Sequence, residues 1–342
     1  WGTEVRTDFS GEVKPGPLEV GFDSFYGVPF SHNSGPALQV FMRDRRIENL
    51  PEAMSYRSAE AKKKTMRKLE DTAIGLSRAV VDFVGHHKEE PFFLFYPTTN
   101  VHFPLTPNSR FKGKTDAGIY GEFVIEFDWA VGQLLEALDR NGLSENTIVV
   151  VTSDNGARPH KSLNGHACNG PWRGTKRTIY EAGHRVPLIV RWPGKVKAGS
   201  VSAETVCLSD FFATFAKLLD HELPKNAGED SYDLTPVLLG QEYEKPLREA
   251  TVHHSVSGQF AIRKGDWKLI KYDDATESVH ETQLFNLAEN PDEFLPEHHK
   301  DNPMLTDLAE NPEHAAKLAE MEALLKSEML RLKDPYALWD QK

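Results

Sequence analysis

Asp154 and Asn155 follow the apolar run Thr147–Val151 directly, within the sequence T-S-D-N-G at residues 152–156. If that run is a strand of a parallel sheet, its carboxyl end is where α/β proteins bind ligands. A carboxylate beside an amide carbonyl offers two hard oxygen ligands, which suit Ca²⁺ or Mg²⁺ better than Zn²⁺. The alternative is an Asx turn that ends the strand, which is the commoner role of an isolated D-N-G sequence. The pair is therefore a candidate metal site.

Two basic side chains stand in loops that could reach the same place. His102 follows the apolar run Phe92–Tyr96, and its imidazolium could bind an anionic oxygen or protonate a leaving group. Lys176 ends the Gly-containing sequence W-R-G-T-K, and could place a point charge on a tetrahedral anion. The alternatives are a hydrogen-bonded loop histidine and a solvated surface lysine. If either residue stood alone in the sequence, the structural alternative would be the better interpretation of it.

The elements that must position these residues alternate between apolar strands and amphipathic helices. This alternation predicts an α/β domain with a mostly parallel sheet over residues 1–242. Strands are expected at 92–96, 147–151 and 186–190, and helices at 59–86, 123–138 and 211–219.

The pattern changes in residues 243–342, where strand-like runs follow one another before a single helix. Strands are expected at 251–262, 267–272 and 283–287, with the turn K-G-D at 264–266, and a helix at 313–332. These features predict a small C-terminal α+β domain with antiparallel strands and a terminal helix.

Composition limits the partners. The 342 residues carry a formal net charge of −11, which argues against nucleic acid or an anionic membrane but not against an anionic substrate held by local cations. No apolar run approaches the roughly 20 residues of a membrane span. Cys168 and Cys207 allow at most one internal disulfide, so cysteine content leaves the compartment open.

Taken in order, the motifs resemble those of the sulfatase family, and the resemblance covers nearly the whole chain. The motifs are G-F-D-S-F-Y-G at 21–27, H-x-P at 102–104, T-S-D-N-G at 152–156, R-G-x-K at 173–176, E-x-G-x-R-V-P at 181–187, R-K-G-D-W-K-L at 263–269 and L-F-N-L at 284–287. Their order is far more specific than any one of them.

The resemblance implies an alkaline-phosphatase-like core and hydrolysis of a sulfate ester in a sulfated sugar or an aryl sulfate. It implies that Asp154 and Asn155 are ligands of Ca²⁺, with Mg²⁺ less expected, and that His102 and Lys176 contact the sulfate group. Ser31 resembles a further substrate contact of the arylsulfatase branch, and His253 with His254 could line the outer pocket. A periplasmic or extracellular location is implied, or a lysosomal one in a eukaryote.

The family's formylglycine nucleophile, made from Cys or Ser in C/S-x-P-x-R, is absent from this chain. The run 168–173 has one residue too many between Cys and Pro, and the run 34–38 has Leu where Arg is required. The paired aspartates of the family's first strand and its G-K-W-H-x-G motif are also absent. We therefore expect the first strands of the core and the nucleophile to lie upstream of Trp1. Ca²⁺ usually takes 6–8 oxygen ligands, so the chain alone should bind it weakly and show no turnover.

Two other functions stay open at this point. One is a phosphatase or phosphonate hydrolase of the same superfamily, against which the R-G-x-K and E-x-G-x-R-V-P segments favour sulfate. The other is a non-catalytic protein that keeps the pocket for a sulfated ligand.

Overall fold

The computed structural model describes residues 7–35, 38–158, 163–243, 246–272, 282–298 and 305–334. The chain divides into two compact units. The first unit is Trp1–Glu145 with His160–His166, and the second unit is Asn146–Pro159 with Ala167–Lys342. Across the described ranges, no helix has both the length and the apolar character that crossing a membrane requires.

The first unit begins with a small antiparallel sheet of three two-residue strands. These are β1 (Tyr26–Gly27), β2 (Met42–Arg43) and β3 (Arg46–Ile47), in the order β1-β2-β3. Short strands bury little by themselves, so the surrounding loops complete the cluster. Its buried members are Phe9, Val13, Leu38, Val40, Met42, Ile47 and Tyr56.

Three helices follow in the first unit: α1 (Ala59–Thr65), α2 (Thr72–His86) and α3 (Gly118–Arg140). The single helix predicted over 59–86 is interrupted, because Met66 leaves the helical conformation (φ −67°, ψ 121°) and forms an isolated bridge with Val40. Arg67 continues that pairing by donating its N–H to the carbonyl of Gln39 at 2.8 Å. α2 and α3 then pack against each other.

The buried strand predicted at 92–96 is wrong. The segment belongs to no sheet of the described residues, and Phe93 and Phe95 are 63% and 65% exposed. An apolar run becomes a buried strand only where a neighbouring strand and a covering layer exist, and periodicity alone does not report either.

The second unit contains the strand that ends before Asp154. β4 (Val149–Thr152) pairs with β5 (Leu188–Arg191), and between them lies the four-residue helix α4 (Glu181–His184). The pair is antiparallel, with Thr152 opposite Leu188, although a mostly parallel sheet was predicted. The reason is that the connection leaves β4 and enters β5 at the same end of the strand pair, whereas a parallel pair needs a crossover to the opposite end. The connection contains residues 153–156 of the T-S-D-N-G segment and the whole of the R-G-x-K and E-x-G segments.

Two helices continue the second unit, α5 (Asp210–Leu218) and α6 (Thr235–Leu238). They precede a four-stranded antiparallel sheet of β6 (Thr251–His254), β7 (Gln259–Lys264), β8 (Trp267–Tyr272) and β9 (Gln283–Asn286), in that order. The strand predicted over 251–262 is therefore two strands, because the chain turns at residues 255–258 and Gly258 takes a positive φ of 77°.

The last helix, α7 (Ala315–Arg331), packs on one face of this sheet, as the predicted terminal helix requires. The shared core contains Phe260, Ile262, Leu269, Leu284, Met321, Leu325 and Met329. Ala261 and Ile270 point to the opposite face and pack with Ile179, as the two-residue period of a strand demands. The boundary predicted between residues 242 and 243 stays a prediction.

Candidate active site

The turn after β4 presents Asp154 and Asn155. Ser153 makes the local bond that shapes the turn, since its hydroxyl donates to the carbonyl of Asn155 at 2.9 Å. Asp154 is exposed, and one of its carboxylate oxygens accepts from Nδ2 of Asn155. Within the described residues the other carboxylate oxygen and the amide oxygen of Asn155 make no hydrogen bond. Two hard oxygen atoms on adjacent residues are thus available to a cation.

Gly156 fixes how closely this turn approaches α4. Its N–H donates to the carbonyl of Gly183 at 3.1 Å. A Cβ atom on Gly156 would lie 1.6 Å from the carbonyl oxygen of Ala182, so no other residue fits without moving the backbone. The turn and α4 are in direct backbone contact.

Lys176 is tied to the same turn through its backbone. Its N–H donates to the carbonyl of Ala157 at 3.1 Å. The Lys176 side chain is half-buried and, in the described part of the chain, forms no ion pair with a carboxylate. A lysine without an acidic partner is free to contact a bound anion.

Asn169, which no sequence motif singles out, joins the two loops. Its Oδ1 accepts the N–H of Ala157 at 2.8 Å, and its Nδ2 donates to the carbonyls of Ala157 at 3.0 Å and Gly174 at 3.5 Å. Asn169 follows Cys168, whose spacing to Pro171 does not match the C/S-x-P-x-R motif of a nucleophile. Burial raises the pKa of the Cys168 thiol, which disfavours the thiolate that a nucleophile needs.

A buried ion cluster of Glu181, Lys268 and Glu293 lies beneath this loop assembly. The Nζ of Lys268 is 3.1 Å from Oε1 of Glu181 and 2.7 Å from Oε1 of Glu293. Arg263 adds a contact of 2.8 Å from Nη1 to Oε2 of Glu181. Burial alone would raise the pKa of Glu181, but the charges of Lys268 and Arg263 outweigh it and leave that pKa lowered. Burial dominates at Glu293 and raises its pKa.

Two histidine rings stack beside the cluster. The rings of His184 and His253 have centroids 4.5 Å apart and an interplanar angle of 12°. Burial, with Lys268 as the next cause, lowers the pKa of His184 to about 4 and that of His253 well below its usual value. Both rings are therefore neutral at pH 7. His254 instead pairs with Asp334, at 2.9 Å between Nε2 and Oδ2.

In the first unit, His102 is exposed in the loop that follows residues 92–96. Its Nδ1 lies 2.7 Å from the carbonyl oxygen of Phe103. A carbonyl only accepts, so Nδ1 carries the proton, and Nε2 is left to accept a hydrogen bond or, when protonated, to donate one. This arrangement allows the role predicted for His102.

Ser31 is exposed, and its hydroxyl donates to Oδ1 of Asn33. The next residue, His32, is 1% exposed and bonds through Nε2 to the hydroxyl of Thr106 at 2.7 Å. Burial first, then the charges of Arg67 and His102, lower the pKa of His32 to about 4. A neutral His32 thus links the segment of Ser31 to the loop of His102, a role that its sequence position did not reveal.

The oxygen donors of Asp154 and Asn155 are of the type that Ca²⁺ prefers, but they are few. Asp154 and Asn155 supply two of the 6–8 oxygen ligands that Ca²⁺ usually takes. No group of three or more His, Cys, Asp or Glu residues with metal-binding geometry occurs in the described ranges. Asp154 and Asn155 are thus two candidate ligands for a hard cation, and a complete site needs further oxygen donors.

Comparison with known proteins identifies the family. The model of the sulfatase family matches residues 19–221, and that of the N-sulphoglucosamine sulphohydrolase C-terminal region matches residues 172–323. The chain belongs to the sulfatase family, whose members with known structure share the alkaline-phosphatase-like fold.

Individual relatives agree with this assignment. An N-acetylgalactosamine-6-O-sulfatase of Bacteroides thetaiotaomicron is 32% identical over 85% of this chain, which spans 68% of that protein. Arylsulfatase A of Bos taurus is 32% identical over 86% of the chain, which spans 59% of that enzyme. A solved Bacteroides thetaiotaomicron protein, described in connection with the metabolism of multiple glycosaminoglycans, superposes with a TM-score of 0.81 at 30% identity. That match covers 95% of this chain and 76% of the other.

Proposed function

We propose that the complete protein hydrolyses the sulfate ester of a sulfated glycan and that this chain supplies part of the site. The observation that carries the proposal is the contact between two loops of the second unit. Asn169 and Ala157 hold the turn of Asp154 and Asn155 against the loop of Lys176. The backbone beside the turn that carries the two candidate oxygen ligands is thereby held against the backbone of the loop that carries Lys176. This contact supports joint binding of a sulfate group by a cation and an ammonium.

Asp154 and Asn155 would hold Ca²⁺ through their free oxygen atoms. When bound, the cation supplies positive charge to the sulfate oxygens and lowers the energy of the charge that develops on them. Lys176 adds a second positive charge, and its backbone bond to Ala157 fixes the loop from which its side chain extends. The family's nucleophile motif, C/S-x-P-x-R, does not occur in these 342 residues, so the nucleophile would be supplied by another part of the complete protein.

His102 would act through Nε2, because Nδ1 is engaged by Phe103. In the protonated form this nitrogen can donate to a sulfate oxygen or give its proton to the leaving oxygen. Ser31 would contact the substrate once its hydroxyl turns away from Asn33. His32, held by Thr106, keeps the segments of Ser31 and His102 at a constant separation.

The names of the relatives support a substrate class. An N-acetylgalactosamine-6-O-sulfatase is named for a sulfated amino sugar, and arylsulfatase A for aryl sulfates. We propose a sulfated glycan as the natural substrate, with aryl sulfates as reporters. A periplasmic or extracellular location, or a lysosomal one in a eukaryote, is proposed from family resemblance.

Asp154→Ala and Lys176→Ala in the complete protein test the proposal. Hydrolysis of 4-nitrophenyl sulfate and N-acetylgalactosamine 6-sulfate should fall at least about 100-fold in each variant, because oriented charge at the reacting group contributes this much. Glu222→Ala and Lys225→Ala, which change exposed residues of the same unit, are the matched controls and should retain activity. Wild-type activity in Asp154→Ala would remove Asp154 from the metal site.

The same assays separate the alternatives. Faster turnover of 4-nitrophenyl phosphate than of the sulfate would identify a phosphatase. Saturable binding of the sulfated sugar without turnover by the complete protein would identify a binding protein.

A further inference from the structure

We propose that the buried ion cluster of Glu181, Lys268 and Glu293 positions Lys176 and the turn of Asp154 and Asn155 for their roles. The inference rests on the proposed function, because it concerns the same site. The side chains of all three cluster residues are buried, so each is argued to act through other groups, as a positioning residue.

The cluster is fully enclosed. Lys268 and Glu293 are 0% exposed and Glu181 is 2% exposed. Lys268 lies on β8, whose neighbours Leu269 and Ile270 are also 0% exposed. Burying charges in a protein interior costs free energy that their mutual attraction seldom exceeds, so stability alone does not explain such a group. A role in fixing one particular backbone arrangement does explain why these charges are buried.

The contacts of Glu181 and Glu293 hold both ends of the Lys176 loop. At one end, the side chain of Glu293 accepts the N–H of Glu181 at 2.5 Å, where α4 begins. At the other end, its backbone carbonyl accepts from Nη1 of Arg173 at 2.9 Å. The N–H of Ala182 then closes the loop by donating to the carbonyl of Arg173 at 3.0 Å. Lys176 lies between these two fixed ends.

The same helix transmits the constraint to the metal edge. Gly183 of α4 accepts the N–H of Gly156 at 3.1 Å, one residue beyond Asn155. The backbones of Gly156 and α4 are so close at this contact that a Cβ on Gly156 would lie 1.6 Å from the Ala182 carbonyl oxygen. A shift of α4 therefore moves or breaks the turn that carries Asp154 and Asn155. Lys268, through Glu181, governs the separation of the two functional loops.

A second buried ion group in the same unit provides a matched control. Arg248, whose side chain is 1% exposed, pairs with Asp210 at 2.5 Å and with Asp230 at 2.6 Å. Asp210 also accepts the N–H groups of Cys207 and Tyr232, and both residues lie outside the connection over residues 153–187. Removing Arg248 should destabilise the unit without displacing either functional loop.

The test compares Lys268→Met with Arg248→Met in the complete protein, below the unfolding transition of both. Calorimetric calcium affinity and kcat/KM for 4-nitrophenyl sulfate should each fall about 10- to 100-fold in Lys268→Met, the range for residues that orient metal ligands. In Arg248→Met both quantities should stay within about threefold of wild type, because that side chain does not touch the site. Glu181→Gln is a milder variant that keeps the side-chain shape and should show the same loss if Lys268→Met does not fold.

Equal effects of the Lys268, Glu181 and Arg248 changes on calcium affinity and kcat/KM would overturn the positioning role. That result differs from a failure of the proposed function. In the latter case Asp154→Ala would bind calcium as tightly as wild type. If Asp154→Ala abolishes calcium binding, while Lys268→Met and Arg248→Met have the same calcium affinity and kcat/KM, only the positioning inference is refuted.

Discussion

Replacing Gly156 with alanine should damage both the stability of the second unit and its candidate site. The new Cβ would lie 1.6 Å from the carbonyl oxygen of Ala182, against an unstrained carbon–oxygen contact of about 3.3 Å. The backbone must therefore separate by about 1.7 Å, the difference between that contact distance and the 1.6 Å approach. Since the N–H of Gly156 is 3.1 Å from the carbonyl of Gly183, a movement of this size breaks their hydrogen bond.

The expected cost combines two terms. Overfilling a packed site costs about 1–3 kcal/mol, and the lost hydrogen bond costs about 1 kcal/mol more. The free energy of unfolding should thus fall by about 2–4 kcal/mol, measured from the urea midpoint at constant m value. Because a displacement of about 1 Å can lower catalysis 100-fold, the activity of the complete protein should fall by at least that factor.

Gly132→Ala is the control for the chemical change. Gly132 lies inside α3, and a Cβ there meets no atom within 4 Å. Alanine should stabilise this helix by about 0.5–1 kcal/mol, because glycine is the poorer helix former. The change from glycine to alanine should thus lower the free energy of unfolding at position 156 and raise it at position 132. A Gly156→Ala variant with wild-type unfolding midpoint and calcium affinity would refute the close contact between the turn and α4.

Three further predictions concern the chain alone and the first unit. The purified 342-residue chain should not hydrolyse 4-nitrophenyl sulfate, since it lacks the nucleophile motif; measurable turnover would contradict this. His32, with its pKa lowered to about 4, stabilises the fold above its unfolded pKa of about 6.5 and loses that contribution as the pH falls towards 4. His32→Gln should therefore remove about 2 kcal/mol of acid sensitivity between pH 6.5 and 5 in urea titrations, and an unchanged pH profile would show that His32 is not held neutral. Burial raises the pKa of Glu126 to about 7, so the free-energy cost of keeping this carboxylate ionised in the fold grows as the pH rises from about 4.5 to 7. Glu126→Gln should therefore raise the free energy of unfolding at pH 8 by about 2–3 kcal/mol. A lower free energy of unfolding at that pH would show that the fold needs the carboxylate.

Regular elements with strong periodicity could be predicted from the sequence. α3 and α7 lie where the spacing of apolar residues placed them, with ends shifted by a few residues. The interruption at Met66 could not be predicted, because it depends on a bridge to Val40 that helical periodicity does not encode. The run 92–96 failed for the related reason that a strand is defined by its neighbours as much as by its own residues.

The candidate site divides in the same way. Asp154 and Lys176 were found because each stands in a motif whose order along the chain is specific. Lys268 and Glu293 were missed, although Lys268 lies in a motif segment, because the pairs that define their role span large sequence separations. Glu181 and Lys268 are 87 residues apart, and Glu181 and Glu293 are 112 apart. A charged residue within a buried strand is the one signal that could have identified Lys268, since lysine is almost never fully buried unless it is paired.

The choice between a turn and a metal edge at Asp154 and Asn155 is not exclusive. The turn is shaped by the Ser153 hydroxyl and by the backbone bond from Gly156 to Gly183, neither of which uses the Asp154 carboxylate. In an Asx turn the Asp side chain would itself accept a backbone N–H two residues ahead. Among the described residues, that carboxylate accepts a hydrogen bond only from the neighbouring amide of Asn155. Because other groups carry the turn, the oxygens of Asp154 and Asn155 are left for a ligand, which supports the proposed calcium edge.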